Sequence, residues 1–107
     1  MAQGNDELVL QMIEKARGTG KIRKGANEAT KALERGTAKA IIVAKDLSQP
    51  EIIAHMKILS KEKNIPFFEI PSKQELGGAA GLGVGTSSVA IIELGDGKNI
   101  LKQITEQ

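Results

Sequence analysis

A ten-residue stretch, IRKGANEATK at residues 22–31, holds the side chains of this chain that are best suited to chemistry. Arg23 and Lys24 precede a glycine, and the amide of Asn27 is followed by the carboxylate of Glu28. Cations and a glycine at a helix start suit a phosphate, because the free N–H groups there attract anions. A plain phosphate clamp has no use for Glu28, whereas a site that reads base edges does, since a carboxylate accepts from base donors.

Residues 26–35 follow the glycine with a pattern that separates polar from apolar side chains at about 100° per residue. The apolar side holds Ala26, Ala29, Ala32 and Leu33, and the polar side holds Asn27, Glu28, Lys31, Glu34 and Arg35. Gly36 suits the left-handed end of such a helix. The ordinary explanation is a solvated face with Glu–Lys and Glu–Arg pairs worth a few tenths of a kcal/mol. The amide, acid and cations together in the first turn favour recognition of a nucleic acid.

Charge and composition narrow the class of partner. Seven basic and two acidic residues lie between Lys15 and Arg35, although the net charge of the whole chain is only +2. Charge alone does not separate a nucleic-acid footprint from a solvated face. There is no Cys, which excludes disulfides, thiol nucleophiles and finger-type zinc sites. The two aromatic residues, Phe67 and Phe68, are predicted to face the core, so a structured RNA fits better than a stacked single strand.

Other candidate sites do not meet their own requirements. The GTGK at 18–21 lacks the earlier glycine and the hydroxyl residue of a P-loop. The glycine-rich stretch 77–85 precedes a strand instead of joining a strand to a helix, as a dinucleotide site requires. His55 is the single histidine, and we expect it to be a packed or rim residue of its helix. We therefore predict neither an enzyme nor a metal or cofactor site.

Hydrophobic periodicity predicts helices alternating with strands. Helices are predicted at 5–17, 26–35, 50–63, from Ser72 onward in a capping box with Glu75, and at 96–105; strands are predicted at KIRK, AIIVA (40–44), PFFEI and SVAIIEL (88–94). This alternation indicates an α/β fold with a mostly parallel or mixed sheet covered on both faces, and 107 residues suit one domain. No apolar run is long enough for a membrane span and the first residues lack a secretory pattern, so we expect a cytoplasmic protein.

The stretch KGANEATKALERG, with the segment from AIIVAKDL to TSSVAII, resembles the L7Ae family of archaeal ribosomal proteins, which bind RNA kink-turns. The likeness runs from about Lys21 to Glu93. It implies a single domain, 1–107, built as a three-layer α/β/α sandwich around a four-stranded mixed sheet, without catalysis. It also implies service in the ribosome, in box C/D and H/ACA guide particles and in ribonuclease P, alongside other ribonucleoprotein subunits. Neither DNA, membrane nor cofactor is implied, and we expect a monomer when the chain is free.

The resemblance also assigns roles to residues. Those for the tandem sheared G·A pairs are Asn27, Glu28 and Lys31, with Gly25 and Ala26 against the RNA backbone. Those for phosphates are Lys24, Arg35 and Lys73, and those that cover the unpaired nucleotides of the bulge are Leu82, Gly83 and Val84.

The chain departs from the family pattern at two places. Relatives often have Thr at the position of Ala26. Because alanine lacks a hydroxyl, this chain is expected to lack one hydroxyl contact. Many relatives read LEVPAAS where this chain has LGVGTSS, and Gly83 and Gly85 are expected to leave the loop more mobile before binding, at a cost in ordering. Two alternatives stay open: a protein-interaction module that docks acidic partners on its basic face, and a small-molecule or nucleotide enzyme that uses the glycine loop.

Overall fold

The computed structural model describes residues 3–46 and 50–105. In chain order the elements are α1 (Gln3–Thr19), β1 (Lys21–Lys24), α2 (Ala26–Arg35), β2 (Ala40–Ala44), α3 (Pro50–Glu62), β3 (Phe67–Ile70), α4 (Lys73–Ala79), β4 (Ser88–Glu93), a 3-10 turn (Gly95–Gly97) and α5 (Lys98–Thr105). All the predicted helices and strands are present. The last predicted helix, 96–105, differs because it opens with the 3-10 turn.

The four strands form one mixed sheet in the order β1-β4-β2-β3. Strands β2 and β3 are parallel, whereas β4 is antiparallel to both β1 and β2. The strands β1, β2 and β3 therefore end where β4 begins. At this edge of the sheet, formed by the ends of the strands, lie the segments that follow the three strands and the segment that precedes the fourth.

Two hydrophobic layers lie on opposite faces of the sheet. Along β2, Ala40, Ile42 and Ala44 pack into one layer, and Ile41 and Val43 pack into the other. The first layer is completed by residues of α1, α4 and α5, and the second by residues of α2 and α3. All five residues of β2 are buried, as expected for a strand covered on both faces. The predicted three-layer α/β/α sandwich is confirmed, and the chain forms a single domain.

Two side-chain expectations differ from the structure. Phe67 and Phe68, predicted to face the core, are only half-buried, because successive residues of β3 point to opposite faces and β3 is an edge strand. Phe67 packs against the layer of α2 and α3, and Phe68 against the opposite layer. His55, predicted to be a packed or rim residue of α3, is exposed.

The residue that follows α1 must be small because it lies against the backbone at the end of β4. A Cβ at Gly20 would overlap the backbone carbonyl oxygen of Glu93, whereas a Cβ at Gly18 would meet nothing within 4 Å. The two glycines are two residues apart, and only Gly18 lies inside α1. They form a matched pair in which the same added methyl group meets backbone at one position and open space at the other.

We predict that Gly20→Ala lowers the free energy of unfolding by about 1–3 kcal/mol, because the backbone of β4 must shift to admit the methyl group. Gly18→Ala should leave it unchanged or raise it by up to about 1 kcal/mol, because alanine favours a helix over glycine. Urea unfolding of both variants measures the difference. Equal stability of the two variants would contradict the close approach at Gly20.

Candidate nucleic-acid interface

The first turn of α2 begins at a glycine in a conformation that other residues avoid. Gly25 has φ of 97° and ψ of 157°, and its N–H donates to the carbonyl oxygen of Ser88 at 2.9 Å. A Cβ at Gly25 would meet nothing within 4 Å. The glycine is therefore required by the backbone angle and not by packing. The space beside it is open to a ligand.

The N-terminus of α2 is not capped by any side chain of the described residues. Its first intrahelical hydrogen bond runs from the Ala29 N–H to the Gly25 carbonyl at 2.9 Å. The N–H groups of Ala26, Asn27 and Glu28 donate to no acceptor within residues 3–46 and 50–105. Such groups carry the positive end of the helix dipole and hold anions when nothing else satisfies them.

The amphipathic division of α2 is present as predicted. Ala29, Ala32 and Leu33 are buried against the sheet, while Asn27, Glu28, Lys31, Glu34 and Arg35 are exposed. Ala26 is half-buried and packs against the same layer as α3. The side chains predicted to read base edges therefore stand on the open surface. Their roles stay predictions.

The carboxylate of the first turn forms an exposed ion pair. The Lys31 ammonium lies 3.8 Å from a carboxylate oxygen of Glu28, one turn back, and both side chains remain about half exposed, at 56% and 51%. An exposed pair of this kind contributes only a few tenths of a kcal/mol to stability. Its larger effect is to set the acid and the cation side by side on one surface.

A basic cleft extends from this ion pair toward the other end of α2. It is lined by Lys21, Arg23, Glu28, Lys31, Ala32, Arg35, Thr37 and Ile92, so four cations surround one carboxylate. Its volume of about 210 Å³ is below the range of pockets that enclose a small-molecule substrate. Arg35 lies about 12 Å along the helix from Asn27, at about 1.5 Å per residue. The excess of cations around this cleft suits an anionic ligand.

Lys21 was not among the predicted contact residues, and Arg23 was predicted only to add positive charge for a phosphate at the start of α2, without a place in a cleft. They alternate with the half-buried Ile22 along the edge strand β1, so both cations project to the same side of the sheet. The period-two pattern of the sequence KIRK carries this information. Only the position of β1 beside α2 shows that the two side chains share a cleft with Lys31 and Arg35.

The remaining predicted residues lie at the start of α4 and in the loop between α4 and β4. Val84 is 68% exposed, Gly83 and Lys73 are exposed, and Leu82 is half-buried. The loop lies against α4: the Thr86 N–H donates to the Lys73 carbonyl at 3.1 Å. A Cβ at Gly85 would come within 3.0 Å of Lys73 Cγ. Gly85 thus gives room to the Lys73 side chain, whereas a Cβ at Gly83 would meet nothing within 4 Å.

Sheet topology brings the two groups of residues to one edge of the domain. Gly25 is bonded to Ser88 at the start of β4, and the Ala44 N–H donates to the Ser87 carbonyl at 3.0 Å. The loop with Val84 leads directly into these residues. The apolar loop and the first turn of α2 therefore adjoin the same end of β4, while Arg35, Lys21 and Arg23 extend the surface away from it.

Other kinds of site find no support in the part of the chain that has been described. Its His, Asp and Glu side chains form no group of three or more that could hold a metal ion. Over the same residues, no helix has both the length and the apolar character needed to cross a bilayer.

Known proteins share both sequence features and the fold with this chain. The model of the ribosomal protein L7Ae/L30e/S12e/Gadd45 family matches residues 7–101, a longer span than the resemblance carried by the motifs alone. The structure is also similar to the solved structure of the Giardia lamblia 15.5kD RNA binding protein. The two share 29% sequence identity and a TM-score of 0.88, over 96% of this chain and 86% of that one. The chain belongs to the ribosomal protein L7Ae/L30e/S12e/Gadd45 family, which agrees with the prediction that it is not an enzyme.

Proposed function

We propose that this protein binds kink-turns in structured RNA and stabilises their bent form. The observation that carries the proposal is the first turn of α2, where unbonded N–H groups and open space at Gly25 stand beside the exposed Asn27 and Glu28. The Giardia protein to which this structure is similar is an RNA-binding protein, which supports an RNA partner.

The backbone of the RNA is expected along the positive side of this surface. The free N–H groups of α2 and the open surface at Gly25 favour a phosphate close to the main chain. Lys24 stands just before that turn, and Lys21, Arg23 and Arg35 continue the positive surface through the cleft. Contacts of this kind set the register of the RNA on the protein and do not discriminate between sequences.

Discrimination is assigned to Asn27 and Glu28. Sheared G·A pairs expose donor and acceptor atoms at their edges, which an amide and a carboxylate can match. A carboxylate alone would repel the RNA, but the Lys31 ammonium at 3.8 Å reduces this repulsion. The charge of Glu28 then opposes RNA binding only weakly, and its carboxylate oxygens remain available to accept from base donors.

The loop between α4 and β4 supplies an apolar cover for the unpaired nucleotides of the bulge. Val84 is one of only two large hydrophobic side chains that stand exposed among the described residues, and it adjoins the edge of the sheet where α2 begins. No aromatic side chain is needed for a contact of this kind. Covering Val84 with a nucleotide would remove its apolar surface from water, which favours binding.

Binding by such a surface acts on the shape of the RNA. A ligand shifts a conformational equilibrium by its difference in affinity for the two states. In the proposed complex, the first turn of α2 and the loop contact the bent RNA together, so the bent state is the one bound more tightly. The protein then serves as a scaffold in ribosomal or guide-RNA particles of the cytoplasm, which it joins as a free monomer.

The experiment that tests the proposal compares two RNAs with the full chain by gel shift. One RNA carries a kink-turn, and in the other both sheared G·A pairs are replaced by Watson–Crick pairs. The proposal requires a large loss of affinity for the second RNA. Equal binding of both RNAs would instead support the rival function, a module that docks acidic partners on its basic face.

We predict that Asn27→Ala and Glu28→Ala each weaken binding to the kink-turn by about 1–3 kcal/mol, because base-edge groups are left without partners. Glu34→Ala is the matched control: Glu34 is exposed on the same helix, two turns beyond Asn27, and its loss should not weaken binding. Wild-type affinity in both test variants would refute the assignment of base recognition to α2.

Lys24→Ala should lower affinity for the kink-turn and for unrelated structured RNAs alike, and should reduce the dependence of log K on log salt by about one unit. The physical reason is that one fewer phosphate is neutralised. Lys98→Ala, which removes an exposed lysine from α5, should leave the slope unchanged. A slope that stays at the wild-type value in Lys24→Ala would exclude a phosphate contact at this residue.

A further inference from the structure

Helix α4 begins differently from α2, because its first N–H groups all have acceptors. The Ser72 hydroxyl accepts from the Gln74 and Glu75 N–H groups at 3.2 and 3.3 Å. The Lys73 N–H donates to the Asp46 carboxylate at 2.9 Å. Within the described residues the predicted capping box is therefore only half formed: Ser72 caps the helix, but Glu75 makes no return bond and Asp46 satisfies a further donor.

Asp46 ties α4 to the sheet. It lies two residues beyond the end of β2, and the intervening Lys45 donates its N–H to the Ile70 carbonyl at the end of β3. Its bond to Lys73 joins residues 27 apart in the chain. The Asp46 carboxylate thus links the ends of β2 and β3 to the start of α4.

From Lys73 the connection continues into the apolar loop. The Lys73 carbonyl accepts from the Thr86 N–H at 3.1 Å, and the Lys73 side chain lies against Gly85. One turn further along α4, the Gly77 carbonyl accepts from the Leu82 N–H at 2.8 Å. A Cβ at Gly77 would overlap the Val84 carbonyl oxygen. Hydrogen bonds and close contacts therefore hold both ends of the loop against α4. Asp46 in turn holds the start of α4 by its hydrogen bond to the Lys73 N–H.

We propose that Asp46 is a positioning residue for RNA binding, which sets the Leu82–Val84 loop through Lys73; this inference rests on the proposed function. Asp46 acts through its acceptor oxygen and not through its charge. A negative charge beside Lys73, an expected phosphate contact, opposes binding of an RNA backbone. An asparagine keeps an acceptor oxygen at this position and removes the charge.

The two properties of Asp46 can be separated by two substitutions in the full chain. Asp46→Asn should bind the kink-turn RNA as tightly as the wild type or more tightly. Asp46→Ala should bind it about 5-fold or more weakly, the effect of one hydrogen bond. The loss should shrink when the bulged nucleotides are deleted from the RNA, since the loop then has nothing to cover. Asp96→Ala and Asp96→Asn are the controls, because Asp96 is an exposed aspartate beyond the opposite end of β4.

Gly85→Ala tests the contact between Lys73 and the loop without changing Asp46. It replaces Asp46→Ala as the test if that variant does not fold. Its methyl group would press on Lys73, so it should also weaken binding of the bulged RNA. Wild-type affinity in Asp46→Ala or in Gly85→Ala would overturn the inference. So would an equal loss in Asp46→Asn and Asp46→Ala, or a loss of the same size with the bulge deleted. Failure of the wild type to distinguish the kink-turn from its Watson–Crick counterpart would instead overturn the proposed function itself.

Discussion

The packing of α2 on the sheet is the constraint on which the candidate interface depends. Ala29, Ala32 and Leu33 are buried together with residues of α3 and β2. Small alanine side chains let the helix approach the sheet closely, and the rotation that buries them turns Asn27 and Glu28 outward. A change in this rotation would move the whole polar face. The geometry of the exposed surface is therefore set by its buried side.

Two of the helices that begin at this edge of the sheet, α2 and α4, start in opposite ways. At α4 the first three N–H groups are taken up by Ser72 and Asp46. At α2 no side chain of the described residues accepts from the first N–H groups, and the residue before the helix is a glycine with positive φ. A capping side chain normally stabilises a helix by about 1 kcal/mol. The uncapped start of α2 forgoes that stabilisation and keeps its donors available for a ligand.

Much of the architecture could be predicted from the sequence because it is encoded locally. The apolar periodicity of α2 and the continuous apolar run of β2 depend on residues close together in the chain. The cleft of Lys21, Arg23 and Arg35 could not be predicted, because it requires the position of β1 beside α2. The bond from Asp46 to Lys73 was missed for the same reason, since it joins two segments that meet only in the fold. His55 shows the converse limit: it was predicted to be a packed or rim residue of α3, but the rotation of that helix leaves it exposed.

The position of β1 at the edge of the sheet has a consequence for solubility. An edge strand presents unpaired backbone groups on which a strand of another molecule could add, as in fibril growth. In β1, three of the four residues are cations, Lys21, Arg23 and Lys24, and all three are exposed. Pairing this strand with its copy would bring like charges together, which discourages self-association through this edge.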